Sequence, residues 1–254
     1  MATTYTGLLT RGLAAGGIAG LAAGLVSLFV VEVPIRAALA VEEARAAAEH
    51  VEGDAHEHAE LFSRGTQVLG GVLAAVVVGL AVGALFATIF AYTRRWFTDR
   101  QPFFRSATLG LAAFGVAALL PAIKYPANPP AVGDPTTVNY RTGLYLGLIV
   151  AGIVVAFGAS YLASRLGHLA APVRVTAVLL ATVAAVTILL LVFPAPPDAV
   201  PADMPSSVLW DFRLASLAET ATLWIGLGLV FGLLIDPAVR KTKTKANAKS
   251  AVAA

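Results

Sequence analysis

The chain has 254 residues, of which 58% are hydrophobic and only 13% are charged, against a charged fraction of about 25% in soluble domains. With a mean hydropathy of +0.79, this composition excludes an ordinary soluble domain and indicates an all-α integral membrane protein. The chain contains no cysteine, which excludes a disulfide framework and a thiolate metal site.

Six apolar segments are long enough, or nearly so, to cross a hydrocarbon core, which requires ~20 helical residues. The predicted transmembrane helices cover about residues 12–31, 67–92, 107–123, 143–164, 173–193 and 217–235. The third of these segments is the shortest. Together they predict a transmembrane domain over residues 1–240, followed by a basic cytosolic tail over residues 241–254.

The first apolar segment has an alternative interpretation as a cleavable signal peptide, because Ala38-Leu39-Ala40 resembles a processing site. Its apolar stretch, from Gly12 to Val31, is longer than the roughly 7–15 residues of a signal peptide. Pro34 and Arg36 also intervene before the candidate cleavage site. We therefore expect a retained first helix.

One arrangement occurs three times along the chain. An apolar run ends at a proline, a polar loop follows, and an aromatic residue near an arginine opens the next apolar run. The three copies extend from Pro34 to Arg64, from Pro126 to Arg141 and from Pro194 to Arg213, and the last two align side by side. The pattern predicts six transmembrane helices arranged as three tandem helical hairpins with a pseudo-threefold repeat.

The distribution of charge favours the same count of six spans. With the N-terminus in the cytosol, most Lys and Arg residues fall on the inner side and most Asp and Glu residues fall in the outer loops. This distribution obeys the positive-inside rule and predicts that both termini are cytosolic. The lysine-rich tail is then a solvated segment beside the lipid bilayer, so the net charge of +3 does not indicate a nucleic-acid partner.

Small residues at four-residue spacing form ridges on three of the predicted helices. The ridges comprise Gly12, Gly16, Gly20 and Gly24 on the first helix, Gly71, Ala75, Gly79 and Gly83 on the second, and Gly143, Gly147 and Ala151 on the fourth. Such ridges let two helix backbones approach closely in lipid. We therefore expect these helices to be interior or paired, although a composition rich in alanine and glycine also produces ridges by chance.

The first outer loop carries a candidate metal-binding segment of imidazole and carboxylate side chains. Its candidate ligands are His50, Asp54, His56, Glu57 and His58. The spacing of His50, Asp54 and His58 places them on one face of a helix. Neutral imidazole together with carboxylate suits divalent Co, Ni or Zn. The alternative is a solvated acidic helix with surface histidines, because Gly53 weakens the helix and the spacing alone is not diagnostic.

Three arginines begin the even-numbered helices, where the helix dipole disfavours a cation. Because Arg64, Arg141 and Arg213 recur in register, we expect them to form an inward-facing ring balanced by acidic groups, although single interfacial arginines facing lipid are ordinary. The candidate partners are the loop residues Glu32, Asp134, Asp198 and Asp211, the transmembrane Glu219, and lipid phosphate.

Glu219 is the one acidic residue within a predicted span, and it lies near the outer end of the sixth, about two turns past Arg213. A carboxyl group at that depth marks a site or a pathway unless it is paired at the interface. The alternative is a structural pair in which Glu219 extends to the outer interface beside Arg213.

The remaining two outer loops are rich in proline, which suits rigid lids or partner-docking surfaces and equally suits inert caps.

The chain resembles the CbtA family of cobalt transporter subunits, which are found in bacteria and archaea. The resemblance covers residues 7–235. It is carried by the proline-rich block at residues 121–135, Arg141-Thr142 with Tyr145, Phe193-Pro194 with Pro197-Asp198 and Pro201, Trp210 with Phe212-Arg213, Leu223-Trp224, and Arg64 with Gln67.

The resemblance implies a multi-pass protein of the bacterial or archaeal plasma membrane that is linked to cobalt supply for cobalamin. It also implies a small membrane partner, CbtB, with a histidine-rich end. We expect Co(II) or a similar divalent cation as the transported ligand and no tightly bound cofactor. The first-loop histidines are fewer than a strong metal-capture segment would carry.

Two functions compete. The first is the membrane subunit of a divalent-metal uptake system, which captures the cation at the acidic first loop and passes it through the helix bundle. The second is a non-transporting accessory subunit of a larger membrane complex, which docks partners through its rigid outer loops. An enzyme is not expected, because the chain has no phosphate-binding glycine loop with lysine, no Gly-x-Ser-x-Gly and no paired-histidine zinc motif.

Overall fold

A computed structural model describes residues 4–49, 63–93, 101–130 and 132–237. All regular structure in these residues is helical. The helices are α1 (Tyr5–Val26), α2 (Glu32–Glu49), α3 (Arg64–Thr93), α4 (Pro102–Phe114), α5 (Leu120–Lys124), α6 (Val138–Arg165), α7 (Ala171–Val192) and α8 (Ser206–Ile235). A π-helical segment joins α1 to α2 at Ser27–Val31, a second joins α4 to α5 at Gly115–Leu119, and a 3₁₀ turn, Pro135–Thr137, leads into α6.

In the described residues, six continuous helical stretches are long and apolar enough to cross a membrane, which confirms the predicted number of spans. The predicted third span, the shortest in sequence, extends over 23 residues from Pro102 to Lys124. The first stretch runs for 44 residues, from Tyr5 to Ala48. At a rise of 1.5 Å per residue it is about 65 Å long, twice the ~30 Å of a hydrocarbon core. It therefore extends well beyond the bilayer, while the sidedness of the termini and the limits of the cytosolic tail stay predictions.

Each π segment ends two or three residues before a proline. Proline lacks an N–H group and its ring collides with the carbonyl four residues earlier, so a regular α-helix cannot continue through it unchanged. Pro34 follows the first π segment and Pro121 follows the second. At Pro121 the affected carbonyl is that of Ala117, and the Tyr145 hydroxyl donates a hydrogen bond to it at 3.2 Å. A side chain of α6 thus supplies the donor that Pro121 lacks.

The chain divides into two compact units, and the first consists of Met1–Val33, Asp54–Phe114 and Ala218–Ala254. Its core is a cluster of apolar side chains from α1, α3 and α8. The cluster comprises Leu8, Ala15, Ala19, Phe86, Ala87, Phe90, Leu227, Phe231 and Ile235. Phe231 of α8 meets Phe86 and Phe90 of α3 edge to face, with ring centroids 5.5 and 5.2 Å apart. Such aromatic pairs add about 1 kcal/mol each to the burial of their surface.

Helices α1 and α3 are in backbone contact along their glycine ridges. A Cβ atom on Gly16 would collide with the Gly79 carbonyl, and a Cβ atom on Gly12 or Gly83 would collide with the other residue's carbonyl. Gly20 makes a similar approach to Ala75. The predicted pairing of the first two spans is confirmed, because only glycine lets the two backbones come this close.

A second close contact joins α4 to α8 in the same unit, and its glycines were not identified from the sequence. A Cβ atom on Gly110 would lie 2.8 Å from the Cα of Gly228 and 2.8 Å from the Trp224 carbonyl oxygen. The buried Ser106 hydroxyl donates a hydrogen bond to the Gly228 carbonyl at 2.5 Å. These contacts attach α8 to α4.

The second unit consists of Pro34–Gly53 and Gly115–Leu217, in which α6 packs against α7. The glycine ridge predicted for the fourth span is only partly used. A Cβ atom on Gly143 would meet nothing within 4 Å in the described residues, and one on Gly147 would lie 3.6 Å from the Phe193 ring. The close contact falls instead at Gly152, which approaches Leu120 and Val116. The arrangement of the six spans as three repeated hairpins stays a prediction.

The glycine contact between α1 and α3 predicts a sharp positional effect. Gly79→Leu should destabilise the folded protein by at least about 1–3 kcal/mol, because the new side chain must enter the backbone of α1. Gly70→Leu is the matched control on the same helix, since a Cβ atom there meets nothing within 4 Å. Thermal unfolding in detergent measures both variants, and equal stability of the two would contradict the contact.

Candidate functional site

The candidate metal ligands of the first outer loop, namely His50, Asp54, His56, Glu57 and His58, lie outside the described residues. The helix that leads to them, α2, is held by a surface ion pair in which the Arg45 guanidinium donates to both Asp203 carboxylate oxygens, at 2.9 and 3.0 Å. Ala38 of α2 is buried against Val132 and Met204 of the other two outer loops. These contacts hold α2, whose last residue, Glu49, directly precedes the histidine-bearing segment in sequence.

The described residues contain no group of three or more His, Asp or Glu side chains close enough together to hold a metal ion. The fourth histidine, His168, follows α6, and its Nδ1 lies 3.2 Å from the Arg165 carbonyl oxygen. In sequence His168 is far from the segment at residues 50–58. A metal site in the described part of the chain would have to combine fewer of these side chains with hydroxyl, carbonyl or water oxygens.

Arg64 begins α3 and pairs with Glu32 at the start of α2. Its Nε and Nη2 atoms donate to the two Glu32 carboxylate oxygens at 3.0 and 2.6 Å, and its Nη1 donates to the Gln67 side-chain oxygen at 3.0 Å. Glu32 is only 7% exposed. A bidentate arginine pair satisfies a buried carboxylate more fully than a single contact does.

Arg141 begins α6 and is paired with an acidic residue of the next outer loop. Its Nη1 lies 3.0 Å from the Asp198 Oδ2, and its Nη2 donates to the Asp134 backbone carbonyl at 3.2 Å. The pair is held by charge, since Oδ2 is not aligned for a hydrogen bond, while the Thr137 hydroxyl donates to Oδ1 at 2.7 Å. Only 5% of the Asp198 side chain is exposed. Loss of Arg141 would leave this carboxylate buried with a single hydroxyl partner.

Gly133 makes room for the Arg141 guanidinium. Its φ of +116° lies in the region that only glycine adopts readily. A Cβ atom there would lie 2.5 Å from the Arg141 Nη1. Glycine at residue 133 is thus required by the backbone conformation and also by the space that the guanidinium occupies.

Asp134 caps the turn that precedes α6 and is not the side-chain partner of Arg141. Its Oδ1 accepts hydrogen bonds from the Thr136 N–H at 2.8 Å and from the Thr136 hydroxyl at 2.7 Å. These bonds stabilise the ionised carboxylate and lower the pKa of Asp134, and the charge of Arg141 adds to the effect. The carboxylate therefore orders the turn that aims Arg141 at Asp198.

Arg213, on α8, reaches back to the second outer loop. Its Nη2 donates to the Asn128 side-chain oxygen at 3.1 Å, and its Nε donates to the Ala127 carbonyl at 3.4 Å. Asp211 is exposed and makes no ion pair with Arg213 in the described residues. The arginine is satisfied by an amide and a backbone oxygen, which are neutral acceptors.

Arg141, which follows the second outer loop, therefore reaches Asp198 of the third loop, and Arg213, which follows the third loop, reaches Asn128 of the second. Two further bonds lie beside these loops: the Lys124 ammonium at the end of α5 donates to the Leu190 carbonyl of α7, and the Tyr125 hydroxyl donates to the Pro194 carbonyl, both at 2.8 Å. We call these four contacts, made by Lys124, Tyr125, Arg141 and Arg213, the loop clasp. Lys124 binds a carbonyl in the last turn of α7, where the helix dipole favours a cation.

Glu219 lies near the middle of α8 and is half-buried. The Ser27 side chain, at the first residue of the π segment in the first span, makes a hydrogen bond with the Glu219 carboxylate. Within the described residues Glu219 has no ion pair with Arg213, which binds Ala127 and Asn128 instead. The carboxyl group is thus held inside the first unit by a hydroxyl.

Sequence reasoning identified the arginines and most of their acidic neighbours but missed several partners. Ser27 and Asn128 are uncharged and gave no signal, and the Arg45–Asp203 pair joins residues 158 positions apart. The proline at residue 34 was a usable signal for the π segment beside Ser27, because a proline inside a helical run disturbs the preceding turn. The pathway role assigned to Glu32, Arg64, Asp134, Arg141, Asp211, Arg213 and Glu219 stays a prediction.

A family model described as probable cobalt transporter subunit (CbtA) matches residues 5–236. The chain belongs to the CbtA family. No curated protein and no solved structure matches it. The match spans all six apolar helices of the described residues. The family is described as a probable cobalt transporter subunit.

Family membership does not by itself assign a role to any single contact. The CbtA match includes Glu32 with Arg64, the loop clasp and Glu219, and it ends at Asp236, just after α8. The basic segment after residue 237 lies outside the match.

Removing Arg141 should destabilise the fold. Arg141→Ala leaves the buried Asp198 carboxylate without its cation, at a cost of about 3 kcal/mol, the lower end of the range for a broken buried pair. Asp198→Ala in addition should restore part of the loss, because no unpaired charge then remains. Arg174→Ala, at the other end of the same unit, is the control. Thermal unfolding in detergent measures all four proteins, and an unchanged Arg141→Ala variant would show that the pair is unimportant.

Asp134 predicts a specific acid sensitivity. Because its pKa in the folded protein lies below the ordinary value of 3.8, its stabilising effect is complete above pH 3.8 and is lost as the pH falls through the lower folded value. Asp134→Asn keeps an oxygen acceptor for the Thr136 N–H and removes this ionisation. Unfolding followed at pH 6 and at pH 3 should therefore change less with pH in Asp134→Asn than in the wild type, and an identical pH dependence would contradict the assignment.

Proposed function

We propose that the protein is the membrane subunit of a divalent-metal uptake system, whose natural cation is Co(II). The single observation that carries this proposal is the match of the CbtA family model to residues 5–236. In the proposed mechanism the acidic, histidine-bearing first outer loop captures the cation, and the helix bundle passes it to the cytosol. The orientation assumed here places both termini in the cytosol of a bacterium or archaeon.

The chemistry of the capture segment supports the first step. Three histidines and several carboxylates lie within residues 49–60, and neutral imidazole with carboxylate oxygen is a donor set suited to Co(II). Negative charge at the mouth of a path also raises the local concentration of cations. The helix that precedes the segment in sequence, α2, is held through Arg45 and Ala38.

The structural alternative is an accessory subunit that docks partners and transports nothing. One observation favours it: in the part of the chain that the structure describes, no three metal-ligating side chains cluster. The loop clasp is also what a rigid docking surface requires, because it joins two proline-rich loops through charged and neutral hydrogen bonds. A small CbtB-like membrane protein or a larger membrane complex is the proposed partner in either case.

Uptake of radiolabelled Co(II) by proteoliposomes tests the proposal. Changing His50, His56 and His58 together to Ala should lower uptake about tenfold at low Co(II) and much less at saturating Co(II), because capture is impaired and passage is not. Wild-type uptake at low Co(II) should also fall below pH ~6, where the imidazoles are protonated and cannot bind the metal.

His168→Ala is the matched control, because it removes the one histidine outside the capture segment. It should leave uptake at its wild-type level. If wild-type protein, alone and together with its membrane partner, moves no Co(II), the accessory function is the correct one. If uptake is normal in the triple histidine variant, the protein transports but the first loop is not its capture site.

A further inference from the structure

Arg213 is the repeated arginine that pairs with no carboxylate in the described residues. Its Nη2 donates to the Asn128 side-chain oxygen at 3.1 Å, and its Nε donates to the Ala127 carbonyl at 3.4 Å. Both acceptors are neutral, whereas Arg64 and Arg141 each bind a buried carboxylate. A guanidinium carries five N–H donors, and these bonds use two of them. The remaining donors and the positive charge are available to an anion.

The acidic residues of the neighbouring outer loops do not neutralise this charge. The carboxylates of Asp134, Asp198 and Asp203 are bound to other partners within the second unit. Asp211 is exposed and lies two positions before Arg213 on α8. Side chains two positions apart on a helix do not face each other. The anion that complements Arg213 is therefore none of these four carboxylates.

The bond to Arg213 also fixes the direction of the Asn128 amide. A guanidinium only donates, so the amide turns its oxygen toward Arg213 and its NH2 group away from it. The NH2 group has two N–H donors, and no described residue accepts a hydrogen bond from them. Arg213 and Asn128 therefore carry unused N–H donors on two side chains that are in direct contact.

Helix length places these two side chains at the level of lipid headgroups. The part of α8 from Arg213 to its last residue, Ile235, is about 33 Å long at 1.5 Å per residue. This length slightly exceeds the ~30 Å of a hydrocarbon core. Asn128 follows the third apolar stretch, which ends at Lys124. Trp210, one turn before Arg213, is 60% exposed, and tryptophan is enriched where the hydrocarbon meets the headgroups.

We propose that Arg213 and Asn128 bind the phosphate group of a phospholipid in the leaflet beside the loop clasp. The Nη1 and Nη2 atoms of Arg213 still offer a pair of N–H donors, and arginine binds two phosphate oxygens through such a pair. The Asn128 NH2 group donates a further bond, and the phosphate supplies the negative charge that the neutral acceptors lack. Because Arg213 belongs to the loop clasp, the bound lipid fastens the clasp to the bilayer.

The site does not depend on the proposed uptake function, since a lipid contact serves a transporting subunit and an accessory subunit alike. It also differs from a structural contact in what it requires. A structural role for Arg213 needs only its bonds to Ala127 and Asn128. A phosphate site needs the charge of Arg213 to stay uncompensated by the protein.

The test uses the full chain in bilayers of digalactosyldiacylglycerol, a bilayer-forming lipid without phosphate. Trp210 is the reporter, and Trp96→Phe and Trp224→Phe remove the chain's other two tryptophans from every protein measured. A small fraction of brominated lipid is added, because bromine quenches the fluorescence of a tryptophan that it contacts. The brominated lipid is either phosphatidylcholine or digalactosyldiacylglycerol. Phosphatidylcholine has a phosphate but no net charge, so its enrichment does not report a general surface charge.

At equal mole fraction, phosphatidylcholine should contact Trp210 about fivefold more than the phosphate-free lipid does, the effect expected of one arginine at a membrane surface. Arg213→Gln should abolish this enrichment. Arg213→Lys should keep part of it, because lysine retains the charge without the paired donors. Arg174→Gln is the matched control, since it removes the same charge at the first turn of α7 and should leave the enrichment unchanged.

Asn128→Asp separates a phosphate site from a structural contact. Its carboxylate would neutralise Arg213 and repel phosphate, so the lipid enrichment should be lost while the thermal stability of the protein is kept or raised. This variant also keeps the proposal falsifiable if Arg213→Gln fails to fold. Wild-type enrichment in folded Asn128→Asp or folded Arg213→Gln overturns the proposal.

Two further outcomes bear on the ligand. Equal quenching of wild-type Trp210 by the two brominated lipids overturns the phosphate site. Inorganic phosphate added to the buffer should leave the enrichment of phosphatidylcholine unchanged. If inorganic phosphate displaces the lipid, the assignment to a phospholipid is wrong and free phosphate is the ligand.

Discussion

In a bilayer, each backbone N–H and C=O group must find its partner within the protein, because lipid offers none. The described helices depend on this constraint most visibly at two prolines. Pro34 and Pro121 each interrupt a long apolar helix, and in both cases the helix widens into a π segment just before the proline and then continues. At Pro121 the remaining carbonyl is bound by the Tyr145 hydroxyl from α6. The carbonyl that would lack a donor in lipid is thereby satisfied by a contact with α6.

The same constraint governs the charges. Arg64 and Arg141, in the first turns of α3 and α6, meet the positive end of the helix dipole and need an acceptor close by. The expectation that Arg213 also begins a helix is wrong, because α8 starts at Ser206, about two turns earlier. Arg64 pairs with the buried carboxylate of Glu32, Arg141 pairs with a carboxylate of the next loop, and Arg213 donates to neutral oxygens of the preceding loop. The result differs between the units. In the second unit the arginines tie two proline-rich loops together, whereas in the first unit one arginine covers one carboxylate and leaves Glu219 to a hydroxyl.

This difference bears on function, because rigidity and passage place opposite demands on a membrane protein. A loop clasp with satisfied partners suits an anchoring surface, and the same loops hold α2, which leads into the histidine-bearing segment. In the first unit the Glu219 carboxylate is hydrogen-bonded to Ser27 at the start of a π segment, and the glycine contact brings the backbones of α1 and α3 together. Whether this carboxylate takes part in passage stays a prediction.

Much of the candidate site was visible in the sequence because charge in an apolar chain is rare. Glu219 was identified by that contrast, the three arginines Arg64, Arg141 and Arg213 by their recurrence in register, and the family mainly by its proline-rich block. Their partners were not all identifiable, because Ser27 and Asn128 carry no charge and hydroxyl and amide side chains occur throughout the chain. Asp134 illustrates the error that proximity in sequence invites. It was a candidate side-chain partner for Arg141, but its carboxylate binds Thr136, and Asp198 of another loop pairs with the arginine.

The sequence by itself determined the membrane class, the six spans and the glycine pairing of the first two helices. Hydropathy and small-residue spacing are local properties of the sequence, and they determine which segments enter a bilayer and which helix faces can approach closely. These features could therefore be predicted without tertiary information. Only the tertiary structure decided which acceptor each arginine takes, where α8 contacts α4, and that Glu219 meets a hydroxyl at a π-helical turn. These contacts join residues from about 30 to more than 190 positions apart, as for Glu32 with Arg64 and Ser27 with Glu219. Which of several chemically suitable partners lies within reach is set by helix packing, and local sequence does not encode it.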